Sequence, residues 1–408
     1  MKKICVMTLG LLASVSLSAQ VTLVKESEKA FKGAGKYADY KAAVDKITPA
    51  FSDPETKDNA QTYWIPGKQA FKLFDEIQLN QQLGKEVNLI EMGDLLLDGY
   101  NYGFKALAVD TVTDAKGKTK TKYSKEIAGQ IAGHHQDFVS VGSAFWDAQK
   151  YPQAYEAFSA YVELPSDKRL GNLAPKALVD SMAAQIQYYR GLAAWQAEML
   201  PQAAEAFEKM MDLGYNDMAA YDYAYSVAYQ MGDEAKKLKY SQIAFDKFGS
   251  AKPDFFQRII QSYITAKDYN AAMTKLQDAI AADPNNANYY YLLGVLNDDQ
   301  GDKEKSMELF KKALDLDPEG ALYNFSYGTA LLQKSERLEE GTKDMTQADY
   351  NKFRAETMNP LLKDAAVYLE KAYKLDEDNM RNALTNLKII YYNLNDGENL
   401  KRVETLLL

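Results

Sequence analysis

From Gln20 to Leu408, large and small apolar positions return at an interval of about 34 residues, with polar residues filling the spaces between. In the unit Ala287 to Gly320 the recurring positions are Tyr290, Leu293, Gly294, Ser306, Phe310, Ala313 and Pro318. The preceding unit carries Phe256, Ile259, Ile260, Tyr263, Ala272, Leu276, Ala279 and Pro284, so Pro284 stands one such interval before Pro318. Ala, Leu, Lys, Glu, Gln and Met dominate these stretches, all good helix formers. Turn residues split each unit in two, at Lys150-Tyr151-Pro152, Gly232-Asp233, Lys267-Asp268 and Gly301-Asp302. Asp283-Pro284 and Asp317-Pro318 end the second half, because a residue before proline is pushed out of the helical region. No run alternates β-branched residues as a half-buried strand would. The pattern predicts pairs of helices and no sheet.

Numbered from Ala287, the recurring residues fall at positions 4, 7, 8, 20, 24, 27 and 32. An aromatic, Leu, Gly, then small, aromatic, small and Pro at those places resembles the tetratricopeptide repeat (TPR). Small side chains at positions 8, 20 and 27 let two antiparallel helices approach, and the large ones at position 24 fill the groove between repeats. The position-8 column reads Gly67, Gly142, Gly191, Ser226, Ile260, Gly294, Gly328 and Lys388, at spacings of 75, 49, 35, 34, 34, 34 and 60. Position 24 reads Phe158, Phe207, Leu276, Phe310 and Leu369, and position 20 reads Ala154, Ala203, Ala272 and Ala365. The resemblance implies an all-α, TPR-type α-solenoid of about seven to eight antiparallel helix hairpins with insertions in the first and sixth units.

Residues 20–141 read as degenerate hairpins with long helices, 142–320 as regular repeats, and 321–408 as further repeats interrupted by an insertion at 335–359. Asp39 to Pro54, with Ala43, Ile47 and Ala50, reads as one more second helix. Leu73 to Leu107 reads as a lengthened helix pair, and Asp110 to Lys122 as an exposed loop. Within the late insertion, Thr346 to Asp349 has the form of a capping box and Asn359-Pro360 that of a helix start.

Met1 to Ala19 follow a different rule. Lys2-Lys3, an apolar run from Ile4 to Leu17 and then Ser18-Ala19 describe a cleavable export signal too short to span a bilayer comfortably. Cys5, the chain's single cysteine, stands near the start of that run, away from the place a lipoprotein cleavage requires. Its removal with Lys2 and Lys3 takes the net charge from −9 to −11 and leaves no thiol. The expected product is exported, periplasmic or envelope-associated, and held together by packing without disulfides. Its 57 acidic residues against 48 basic ones in the whole chain offer nucleic acid and anionic membrane no general attraction. No later segment provides the ~20 uncharged apolar residues of a membrane helix.

Catalytic signatures are sparse. His134 and His135 are adjacent and point about 100° apart on a helix, which fails as a ligand pair. Gly33-Ala34-Gly35-Lys36 lacks the spacing of a phosphate loop and reads as a helix–helix turn. Asp298, Asp299 and Asp302 lack the closing Glu of a calcium loop. The reading is a non-enzyme with no metal and no cofactor.

The informative residues are aromatic. In tetratricopeptide arrays the first helix lines the concave face, with positions 2, 5, 9 and 12 pointing into it. Carried onto this sequence, position 5 holds Trp64, Val139, Tyr188, Tyr223, Gln257, Tyr291 and Phe325, and position 12 adds Trp146 and Trp195. Five aromatics in seven places exceed the roughly one that 12% usage predicts. Rigid rings with polar edges suit capture of a protein or peptide segment, and also stacking on sugars. A one-residue slip of register would turn the same stripe into core. The expected function is an exported scaffold binding a protein or peptide in its concave groove, with a glycan- or cell-wall-binding accessory as the alternative.

Overall fold

The computed structural model describes residues 22–113 and 119–408. The export-signal expectation for Met1 to Ala19, Cys5 included, lies outside the described residues. The chain falls into two compact units that meet in sequence at Asp233 and Glu234.

Among the described residues the first unit contains ten α-helices: α1 (22–33), α2 (Tyr37–Ile47), α3 (Ala60–Gln82), α4 (Leu89–Val109), α5 (Ser124–Gly133), α6 (Asp137–Asp147), α7 (Tyr151–Glu163), α8 (Asp180–Gln196), α9 (Leu200–Asp212) and α10 (Met218–Gln230). The second contains α11 (Glu234–Phe248), α12 (Pro253–Thr265), α13 (Tyr269–Ala282), α14 (Ala287–Asp299), α15 (Lys303–Leu316), α16 (Ala321–Glu340), α17 (Gln347–Phe353), α18 (Asn359–Leu375), α19 (Asn382–Asn393) and α20 (Gly397–Leu407). The architecture is all-α, and within each unit most helices pack on their neighbours in chain order.

One contact recurs in both units and explains the position-8 column. A β-carbon added to Gly142 would lie 2.5 Å from the Phe158 ring, one on Gly191 2.8 Å from Phe207, and one on Gly294 2.6 Å from Phe310. In each pair the ring comes from the returning helix of the same hairpin and stands at the same sequence distance from its glycine. The missing side chain is a socket, and the position-24 ring fills it. Gly328 makes the same kind of contact with Leu369 at 2.8 Å, although Leu369 stands much further along the chain. Between them α16 is extended to Glu340, and α17 and a π-helical turn (Arg354–Met358) precede α18. Thr346 caps α17 by accepting from the Asp349 amide, and its hydroxyl donates to the Asp349 carboxylate at 2.7 Å.

A second recurring feature closes the first helix of the hairpin. Gln149, Glu198, Lys267 and Asn395 adopt left-handed φ of 58°, 60°, 58° and 54°, a place that Gly232 and Gly301 fill elsewhere. Two backbone bonds seal each turn; at α12 the Lys267 amide donates to the Ile264 carbonyl and the Asp268 amide to the Tyr263 carbonyl. The left-handed residue stands seven places after the column residue at Gly142, Gly191, Ile260, Gly294 and Lys388. In α10 the left-handed residue is Gly232, so the column residue is Tyr225 and not Ser226. Position 5 of that hairpin is then Asp222, with Tyr223 beside it. Apolar spacing leaves this register open, and the turn fixes it.

The N-terminal helices depart furthest from the plain repeat. α3 continues through Pro66 over 23 residues, and α4 runs for 21. Three glycines of α4 are sockets for three different helices: Gly93 meets Phe145 of α6, Gly99 meets Phe71 of α3, and Gly103 meets Ile131 of α5. The segment Asp110 to Lys122 is more ordered at its base than an exposed loop. Val112–Thr113 pairs antiparallel with Thr119–Lys120. Below that ladder the buried Asp110 carboxylate accepts from the amides of Lys122, Tyr123 and Ser124 and from the Ser124 hydroxyl. Burial opposes its charge, but these bonds outweigh burial and hold the carboxyl below the usual range.

Candidate binding surface

Between α7 and α8 two short 3-10 turns, Leu164–Ser166 and Lys168–Leu173, lead into an extended stretch that reaches Val179. This added length delivers α8 to its place. Arg190 then locks it: its buried guanidinium donates to Ser159 and Tyr155 and pairs with Glu163 of α7 at 2.8 Å. With Arg190 turned inward, the other face of α8 carries Tyr188 and Trp195.

These two rings belong to a continuous row. Tyr215, in the turn after α9, lies 5.3 Å from Tyr188 in near-parallel stacking. Tyr188 lies 6.4 Å from Tyr223 of α10, and Tyr223 lies 5.8 Å from Trp195. The Trp195 indole donates to Gln230 at 3.0 Å, which fixes the ring's tilt. All four rings are half-buried, and Tyr189 and Tyr229 beside them are exposed. Ring pairs at these separations attract one another and pre-order the surface. At the Tyr215 end opens a cleft of about 660 Å³ lined by Ser181, Gln185, Asn216, Asp217 and Met218 among others. Asp217 caps α10 by accepting from the Ala219 amide.

Burial, with Tyr223 and Asp217 nearby, pushes the Tyr188 phenol up to about 12, and burial with Asp217 raises Tyr215. Both phenols therefore stay protonated across the physiological range and act as hydrogen-bond donors with stacking faces, not as acids or bases.

The other stripe residues have different fates. Trp64 is a core residue, 4% exposed, and its indole nitrogen has no hydrogen-bond partner. The expectation that it lines an inner wall is corrected: α3 carries Pro66 without ending, and Trp64 turns onto Phe71 at 6.4 Å. Trp146 is half-buried, edge-on to Tyr151 at 5.3 Å and packed against the core of the first unit. In the second unit Tyr291 rests against Phe310 at 5.9 Å and Tyr323 at 5.8 Å, and Phe325 packs on the cluster of α16, α18 and α19. The structure thus brings Tyr188, Trp195 and Tyr223 together. Tyr215 joins them although sequence reasoning misses it, because it stands in a turn with no helical position. Gly214-Tyr215-Asn216-Asp217 is its one local signal.

The histidines serve packing. His134 stacks on Phe71 at 4.9 Å and bonds Asp137 at 3.0 Å, while His135 stacks on Tyr161 and bonds its carbonyl. Among the described residues no group of three His, Cys, Asp or Glu is placed to hold a metal, and no helix is long and apolar enough to cross a membrane. A second cleft of about 620 Å³ lies against α1, α3 and α5, where Lys32 and Lys68 are paired with Glu28 and Glu126.

A sequence profile described as tetratricopeptide repeat matches residues 258–321, covering α13, α14, α15 and most of α12. A search of curated proteins returned no match. Among solved structures, a TPR protein YrrB, titled as having an unusual peptide-binding site, is 18% identical, with 46% of this chain and 88% of that one covered and a TM-score of 0.30. MamA from Desulfovibrio magneticus RS-1 is 20% identical over 48% of this chain and 96% of that one, with a TM-score of 0.31. The pilF protein of Pseudomonas aeruginosa is 14% identical over 56% and 91%, with a TM-score of 0.38. Likenesses of this degree assign neither partner nor site. The matched segment coincides with the most regular hairpins, and the glycine socket there recurs in both units: residues 258–321 carry tetratricopeptide repeats, within an all-α chain that repeats the same contact.

Proposed function

We propose that the protein is an exported, non-enzymatic scaffold that captures a segment of another protein on the faces of α8 and α10. The tetratricopeptide fold is one of interaction scaffolds, whose stacked hairpins present extended surfaces to partners. The observation that carries the reading is the row Tyr215, Tyr188, Tyr223 and Trp195, four half-buried rings in successive contact beside an open cleft. A core aromatic is sealed by neighbours on every side, whereas these stay partly open to solvent. Residues Met1 to Ala19 support the export part of the reading through their basic start, apolar run and small end.

The polar lining of the cleft, with Ser181, Gln185 and Asn216, supports a sugar-stacking surface as the second reading. Peptide and glycan arrays probed with the full chain separate the two. The expected result is peptide binding that Tyr223→Ala weakens about tenfold while far-ultraviolet circular dichroism is unchanged. Binding confined to glycans, or a Tyr223→Ala protein that loses helicity, would sink the capture of peptides.

A further inference from the structure

The charge pattern around the ring row narrows the partner. The only cationic side chain on α8 or α10 is Arg190, and it is 3% exposed and engaged with α7. The remaining charges on these helices are carboxylates: Asp180 in the first turn of α8, and Asp222 on α10. Asp217 caps α10 and is the one charged residue lining the cleft at the end of the row. Tyrosine and tryptophan faces carry negative electrostatic potential, so the rings add to the carboxylates in attracting a cation.

Resting on the capture reading above, we infer that this surface takes an extended peptide segment bearing alternating basic and apolar residues. Its Lys or Arg side chains would lie over the faces of Tyr188, Tyr223 and Trp195 and toward Asp217, with the apolar ones entering the cleft beside Met218. The spacing is consistent: Tyr188 and Trp195 are seven positions apart on one helix, about 10.5 Å along its axis, a distance that about three residues of extended chain span. An acidic or phosphorylated segment would meet the like charge of Asp217 at the end of the row.

The test titrates the full chain with a fluorescein-labelled octapeptide of alternating Lys and Leu and with its Glu and Leu counterpart. We expect the basic peptide to bind at least about tenfold more tightly, with the difference shrinking in high salt. Asp217→Asn keeps the helix cap and should weaken the basic peptide several-fold, as should Tyr223→Ala, while Glu308→Gln, at an exposed position of α15, should change nothing. Equal affinity for the two peptides would overturn the basic preference and leave peptide capture standing. Basic-peptide binding insensitive to Asp217→Asn and Tyr223→Ala would also overturn it, as general attraction to an acidic protein. Failure of both peptides to bind, with or without binding of an oligosaccharide, would overturn the capture reading itself.

Discussion

Tyr188 of α8 and Tyr291 of α14 occupy the same position of the repeat, yet their surroundings differ. Tyr188 stacks on rings from α10 and from the turn after α9, all half-open to solvent. Tyr291 leans on Phe310, the ring already seated in the Gly294 socket, and on Tyr323 of the next hairpin. Burial raises both phenols, but a hydrogen bond to Ser326 partly offsets it for Tyr291. Both rings are half-buried; a position in a repeat therefore fixes a direction, and the neighbours decide whether the ring joins a row of stacked rings or leans on one already seated in a socket.

The largest break in this comparison comes from emptying a socket. Phe207→Ala should destabilise the first unit by about 3–5 kcal/mol in urea unfolding, because its fully buried ring faces Gly191 and nothing else can fill the space. Tyr291→Ala should cost about 2–3 kcal/mol with no change in peptide binding, whereas Tyr223→Ala should cost about 1 kcal/mol and lose binding. If Tyr223→Ala proves as destabilising as Tyr291→Ala, the two regions are alike and the surface assignment falls. Asp110→Asn should cost about 1–2 kcal/mol by weakening the bonds at the base of the ladder. Because Asp110 is held below its unfolded value, its contribution is present above about pH 4 and lost as pH falls through the folded value. Acid titration of the Asn variant should therefore show a flatter decline than the parent. The smallest effect, and one of opposite sign, is Lys267→Gly: relieving a left-handed non-glycine residue should raise the melting midpoint, by about 0.5–1 kcal/mol of stability.

Helix pairing, the repeat interval and the small position-8 column were legible because residues at a fixed separation leave a mark in any single sequence, whereas the seating of the position-24 ring against that glycine, and not in the groove between repeats, shows only in the contacts. The register of α10 was less so. Tyr221, Tyr223, Tyr225 and Tyr229 offer several equivalent stripes, and only the left-handed turn at Gly232 chooses among them. Trp64 was misread for a related reason: the position-5 column was carried onto α3, which runs on through Pro66 and turns Trp64 onto the core. Asp110 was invisible within a loop of Lys, Thr and Gly, since its partners are mostly backbone amides that no residue pattern records. The site was half legible, for helical rings can be counted and a turn ring such as Tyr215 cannot.

Helix α4 has a consequence of a different kind. Its three glycines accept side chains from α3, α5 and α6, so no one of those neighbours can withdraw without leaving a void against the others. Its backbone amides should then exchange with deuterium only when the whole group opens together, and should be among the slowest in the first unit. The least repeat-like stretch of the protein would be that unit's most cooperative foldon, a rigid footing for the hairpins that follow it in the chain.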